Sequence, residues 1–291
     1  MMGHSMGSSI QARMMHWMLQ PQNTLRRSPI RRNVASETSI AGLLILVTGA
    51  SSGIGRAAAI RLAELGGVVI LVARRAGELE TVRAEIDLAG GTAHAVACDL
   101  TDEIAVADLA TTVFERWGTV DVLINNAGRS IRRSIGDSLD RFHDFERTMA
   151  VNYFGAVALT LRLLPAMLER GHGHIINVGT AGAQTGTMPM FGAYGGSKAA
   201  LTMFGRTLGA EMREHGISVT TVQYPLVDTP MVAPAKGKRT VPALTAQEAA
   251  GWLVTAIRTR PITLYPRFIP LLRVADSFFP EYIDKALLKE S

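Results

Sequence analysis

The chain has 291 residues, 47% of them hydrophobic and 19% charged, with a formal net charge of +5. That length suits one large α/β domain, and that composition excludes a chain disordered throughout. Five arginines (Arg13, Arg26, Arg27, Arg31, Arg32) against Glu37 put +4 of the charge in the first 40 residues, so the rest is near neutral and lacks the basic-aromatic pattern of a nucleic-acid binder.

Residues 1–39, rich in Met, Ser, Gln and Arg, read as a flexible or unassigned basic leader. No apolar run is expected to approach the roughly 18 residues a membrane span needs. Residues 43–48 form an apolar strand, 49–55 a glycine-rich turn, and 56–66 a helix stopped by Gly66-Gly67. Strands follow at 68–73, 92–97 and 120–124, separated by a helix over 76–89 and one that Thr101 can cap and that runs to Trp117. A long helical stretch over 139–169 precedes a strand at 175–178, a helix through Tyr194 to His215, a strand at 218–223 and a helix at 246–259. Strands alternating with helices at this spacing predict an α/β fold: a single Rossmann-type doubly wound parallel sheet with helices on both faces. The dinucleotide-binding catalytic domain is expected over 40–260. The tail, 261–291, is left as an acyl-channel, membrane-surface or interface element.

Two stretches carry chemistry. Thr48-Gly-Ala-Ser-Ser-Gly-Ile-Gly55 lies between a strand and a helix, where glycines 49, 53 and 55 allow a tight turn and close approach of a pyrophosphate to a helix N-terminus. Ser51, Ser52 and Ile54 belong to the same turn. Tyr194 and Lys198 lie four apart on a predicted helix and project together. A phenol beside an ammonium is machinery for delivering a proton to a carbonyl as it accepts a hydride. The second strand ends Ala73-Arg74-Arg75, without the acid that an NAD site presents to the ribose 2′-hydroxyl. Arg74 or Arg75 can instead meet a 2′-phosphate, which favours NADP(H). Cys98, the single cysteine, has no internal disulfide partner and suits a reducing cytoplasm. His172 and His174 lack a matching ligand cluster, so no metal is expected.

The glycine turn and the Tyr194–Lys198 pair resemble the signature of the short-chain dehydrogenase/reductase family, whose order the chain follows over about 43–260. The resemblance implies that Tyr194 is the acid or base, that Lys198 also holds the nicotinamide ribose, and that Asn152 organises a water relay to the lysine. It places Asp99 and Leu100 at the adenine, Asn126, Ala127 and Gly128 along the cofactor, and Val227 and Thr229 at the carboxamide. The family has a serine thirteen residues before its tyrosine; Ala181 stands there. One inserted loop residue would bring Thr180 into the serine's place, with Thr185 and Thr187 as fallbacks. Tyr224-Pro225 replaces the usual Pro-Gly. The resemblance also implies a homodimer or homotetramer.

The stretches 125–134, 140–149 and 225–234 resemble, more narrowly, the bacterial NADPH-dependent fatty acyl-CoA reductases built on this fold. That likeness implies hydride transfer to a long-chain acyl-CoA thioester, giving the aldehyde, in a cytoplasmic or membrane-associated enzyme. Arg129, Arg132 and Arg133 form a basic loop that can meet CoA phosphates, residues 225–244 suit a lid, and Lys236, Lys238 and Arg239 within it can also face phosphate. Two alternatives stay open: an NADP-dependent dehydrogenase or reductase of a free ketone, aldehyde or hydroxy-lipid, and an inactive dinucleotide-binding protein.

Overall fold

The computed structural model describes residues 14–23, 38–232 and 242–290. Its strands are β1 (Pro21–Asn23), β2 (Leu44–Thr48), β3 (Val68–Ala73), β4 (Thr92–Ala97), β5 (Val122–Asn125), β6 (Gly173–Thr180), β7 (Ile217–Tyr224) and β8 (Thr263–Pro266). They form one eight-stranded sheet in the order β1-β8-β7-β6-β5-β2-β3-β4. Only the β1–β8 pairing is antiparallel. The helices are α1 (residues 14–19), α2 (Gly53–Glu64), α3 (Ala76–Leu88), α4 (Glu103–Trp117), α5 (Phe142–Met149), α6 (Gly155–Arg170), α7 (Gly192–Glu211), α8 (Ala246–Thr259), α9 (Ile269–Phe278) and α10 (Pro280–Glu290).

The strands are apolar at nearly every position because both faces of the sheet are covered. In β2, Ile45 and Val47 pack with side chains of α2, α3 and α8, while Leu44 and Leu46 pack on the other face with α4, α6 and α7. Strand order reverses between β2 and β5. Beyond the carboxyl ends of those two strands lies the crevice where doubly wound sheets bind ligands.

The structure departs from the sequence reading in four places. Asp102, not Thr101, caps α4: its carboxylate accepts from Ile104 N at 2.9 Å and Ala105 N at 3.2 Å, while Thr101 turns back onto Asp99. The stretch read as one helix over 139–169 contains a π-helical turn, Ala150–Phe154, between α5 and α6. The continuous helical run 142–170 is also long and apolar enough to cross a membrane, although its Leu159, Leu163 and Met167 are buried against the sheet. Finally, the domain is wider than 40–260. Residues 14–23 of the stretch read as leader are folded, with Leu19 7% exposed, and β1 pairs with β8 from the tail. The Arg267 guanidinium lies 4.6 Å from the Trp17 ring centroid, tying α1 to the start of the tail helices. Pairing β1 on β8 covers an edge that would otherwise present open backbone groups. Residues 1–13 and 24–37 of the expected leader lie outside the described residues.

Candidate active site

The crevice is framed by Thr48, the last residue of β2. Its hydroxyl donates to Ile124 O at 3.2 Å and accepts from Asn126 N and Ala127 N at 2.9 and 3.0 Å, stapling the ends of β2 and β5 together. Asn126 Nδ2 donates to Thr48 O at 2.8 Å. The glycine turn closes over this staple. Gly49 has φ +66° and Gly53 φ +55°, conformations that glycine adopts at little cost. A Cβ on Gly55 would sit 2.3 Å from Gly49 O, so α2 starts this close to the turn only because residue 55 has no side chain. Ser52, the N-cap residue of α2, makes no side-chain cap bond. The first amides of α2 are therefore open to an anion, and the helix dipole favours one there.

The second half of the site is built by α7 against β6. Lys198 is buried at 3% exposure, and its Nζ donates to Val178 O of β6 at 2.7 Å. Burial brings its pKa down to about 8. Tyr194, one turn earlier, is pushed up to about 12 by burial, and a hydrogen bond from the Thr180 side chain works against that rise. Thr180 stands at the carboxyl end of β6 and meets the phenol directly, while Ala181 is buried. The fallback Thr185 lines the cleft, but its hydroxyl is engaged with Gly182 O and Thr187 O of its own loop. Thr187 does not line the cleft.

Asn152 is fully buried in the π-helical turn behind the cleft. Its Oδ1 accepts from Arg129 N at 2.7 Å, and its Nδ2 donates to Arg129 O and to Ser197 Oγ, both at 2.9 Å. Ser197 in turn donates to Tyr194 O at 2.7 Å. A Cβ on Gly128 would lie 3.1 Å from Asn152 Oδ1 and 3.5 Å from Lys198 Nζ, so the amide and the ammonium converge on this residue. Asn152 thus ties the 126–129 strand end to the helix carrying Tyr194 and Lys198. π-bulges recur at functional sites, and this one aims the asparagine. Just before α7, Met190 has φ +66°, a left-handed conformation uncommon for a residue with a side chain; Arg133 N donates to its carbonyl at 2.7 Å.

All of this opens into one cleft of about 1550 Å³. Its lining includes Gly49, Ser51, Ser52, Gly53 and Ile54 from the turn, and Asn126, Ala127 and Gly128 after β5. Arg74, Arg75, Asp99 and Leu100 line the side toward β3 and β4, and Val227 and Thr229 the side after β7. Arg75 is paired with Glu78 at 2.7 Å, whereas Arg74 is exposed and in no ion pair among the described residues. Asp99 commits one carboxylate oxygen to Thr101 and keeps the other. Val227 is buried and bridges to Leu244, so the chain after β7 is anchored even though Tyr224-Pro225 opens it. The glycine cradle, the open amides of α2 and the exposed Arg74 together fit a nicotinamide dinucleotide lying along the carboxyl ends of the strands.

The predicted basic loop holds in part. Arg129 and Arg132 line the cleft, but Arg133 does not: its Nε bonds the buried Asp144 at 3.2 Å, where Arg141 also binds at 3.0 Å. Arg147 on α5 lines the cleft instead, exposed and, among the described residues, in no ion pair; no motif in the sequence singles it out. Lys236, Lys238 and Arg239 lie outside the described residues, as does the middle of the expected lid, residues 233–241. Thr48 was also missed as a site residue; a hydroxyl ending an otherwise apolar strand was the available signal. Cys98 is buried at 5% exposure and pushed up to about 11 by that burial, which makes its thiol unreactive. His174 bonds Thr220 inside the sheet, and among the described residues no group of three or more His, Cys, Asp or Glu could hold a metal ion.

Comparison with known proteins agrees with this geometry. Residues 43–240 match the short chain dehydrogenase family model. The chain is 46% identical over 262 residues to a fatty acyl-CoA reductase of Mycobacterium tuberculosis, covering 90% of this chain and 89% of that protein. It is 51% identical over 223 residues to a fatty acyl-CoA reductase of Acinetobacter baylyi, covering 77% of this chain and 75% of that one. A solved metagenomic short-chain oxidoreductase in complex with NADP superposes with a TM-score of 0.66 at 31% identity, covering 76% of this chain and 93% of that one.

Proposed function

The chain belongs to the short-chain dehydrogenase family of oxidoreductases, and we propose that it reduces long-chain fatty acyl-CoA thioesters to aldehydes with NADPH. The observation that carries this reading is the composition of this cleft. Beside Tyr194 and Thr180 it has the cationic side chains of Arg129 and Arg147, able to meet phosphates, and an apolar wall including Met188, Met231 and Leu272. A CoA thioester of a fatty acid is anionic at one end and apolar at the other. The names of the two bacterial reductases support the same choice.

Arg74 supports NADPH over NADH, since β3 ends in Ala73 with no acid and, among the described residues, no ion pair consumes the Arg74 guanidinium. When bound, the nicotinamide supplies a hydride to the thioester carbonyl carbon. The chain's own groups handle the oxygen. The Tyr194 phenol, neutral across the physiological range, donates its proton to the developing oxyanion, and the Thr180 hydroxyl adds a second hydrogen bond. Lys198 sets a positive charge behind the phenol, and Asn152 holds the 126–129 segment against it. The resulting hemithioacetal loses CoA as the free thiol and leaves the aldehyde.

The reading extends to a cytoplasmic homo-oligomer. Phe154, Leu161 and Met203 are exposed on the outer side of the α6 and α7 region, where a second copy would cover them. Exposed Leu271, Phe278, Phe279 and Tyr282 on the tail are suited to peripheral contact with a lipid surface.

The test is product analysis with NADPH and palmitoyl-CoA. Release of one free thiol per NADPH oxidised is the expected result. Turnover of free aldehydes or ketones without thiol release from any acyl-CoA would replace this reading with a carbonyl reductase. Tight NADPH binding without turnover of either would make the protein an inactive dinucleotide binder.

A further inference from the structure

We propose that α9 and α10 form one wall of a channel for a long unbranched alkyl chain, with Leu272 and Leu287 limiting the length it accepts. The proposal deepens the acyl-CoA reading and rests on it for the identity of the chain's head.

Three observations lead here. First, the cleft's 1550 Å³ exceeds the ~300–1,000 Å³ typical of a site for one small molecule, so it has room for more than a dinucleotide. Second, everything the tail contributes to the lining is apolar: Phe268, Ile269, Leu272 and Leu287. A polar ligand would leave its groups unpaired against that wall, whereas an alkyl chain loses nothing there. The glycine turn, Arg74 and Asp99, which fit the cofactor, are polar by contrast. Third, the tail stands on the substrate side. α9 packs against the 3₁₀ turn Ala181–Gln184, which directly follows Thr180, and a Cβ on Gly186 would meet Asp276 of α9 at 2.9 Å.

The two helices are sided. Ile269 is 2% exposed and Leu272 and Leu287 are half-buried toward the cleft, while Leu271 at 76% and Val274 at 56% point to solvent. Chain-length selection should therefore respond to bulk at Leu272 and Leu287 and ignore the same bulk at Leu271.

The experiment compares Leu272→Trp, Leu287→Trp and the size-matched control Leu271→Trp across octanoyl-, lauroyl-, palmitoyl- and stearoyl-CoA, with the free aldehydes of the same lengths assayed in parallel. NADPH affinity is followed by fluorescence. The expected result for either cleft variant is a fall of about tenfold or more in kcat/KM for the longest substrates. The octanoyl substrate should stay within about twofold, NADPH binding should not change, and Leu271→Trp should match the parent. An equal fall at every length in both cleft variants, or no change in either, would overturn the channel. If the parent turns over aldehydes but releases no thiol, the acyl-CoA reading fails while the aldehyde series still decides the channel. If neither series turns over, displacement of a fluorescent polyene C18 fatty acid decides it: weaker binding to both cleft variants supports the channel, and unchanged binding overturns it.

Discussion

At the scale of single residues, the proposed mechanism uses Thr180 in the role that the resemblance gives to a serine. Thr180 reaches Tyr194 with its hydroxyl from the end of β6. Thr180→Ala should lower kcat about a hundredfold to a thousandfold with little change in NADPH affinity, the range seen when an oxyanion donor is removed, while Thr180→Ser should keep most of the activity. Steady-state kinetics with parallel NADPH titration checks both, and full activity in the alanine variant would remove Thr180 from the chemistry. Arg74→Ala should raise the KM for NADPH about tenfold or more and leave that for NADH unchanged, because a charged hydrogen bond to the 2′-phosphate contributes roughly 1.5–3 kcal/mol. Equal effects on both cofactors would mean Arg74 does not read the phosphate. Tyr194 and Lys198 were legible in the sequence because four residues on a helix fix their common direction. The role of Arg133 was not legible, since its partner Asp144 lies on the following helix and a loop arginine looks free until that packing is known.

At the scale of elements, the parallel strands and the helices between them were readable from apolar runs bounded by glycine, because strands covered on both faces cannot conceal their burial. The short edge pieces were not readable. β1 is three residues long and is held by its pairing with β8, a partner more than 200 residues away that no local pattern announces. The π-helical turn was equally hidden, since Ala150–Phe154 has the composition of ordinary helix and is distinguished only by where Asn152 must point. Deleting residues 1–23 should uncover the β8 edge and remove the buried Leu19, whose burial alone contributes ~1.5–3 kcal/mol. Thermal unfolding should then shift down by roughly 5–10 °C, since a protein of this size loses about 2–4 °C per kcal/mol. An unchanged midpoint would show that β1 and α1 add nothing to the fold.

At the scale of the whole molecule, one sheet places two ionisable groups of opposite tendency in the same cleft. Lys198 is lowered from 10.5 to about 8, so between those values the unfolded chain keeps a proton that the folded one has lost. Its contribution to stability therefore rises with pH across that window, and its burial as an ammonium is a cost below about 8. Tyr194 is raised from 10.0 to about 12, so it stays protonated through that range, and its stabilising contribution is lost only as pH rises toward 12. The proposed mechanism uses the ammonium. On that basis kcat/KM for reduction should fall as pH rises through about 8, read from a pH–rate profile of the free enzyme. A profile flat to well above that value would show that the charge on Lys198 is not required.

The central claim is that the phenol in this cleft delivers the proton as the carbonyl is reduced. Its most direct test is Tyr194→Phe, with NADPH oxidation and thiol release followed together on palmitoyl-CoA and NADPH affinity measured in the same preparation. Turnover should be reduced by about 10²–10⁴-fold, the usual worth of a positioned general acid, with NADPH binding intact. Turnover within a few-fold of the parent would contradict it and move the chemistry to another group.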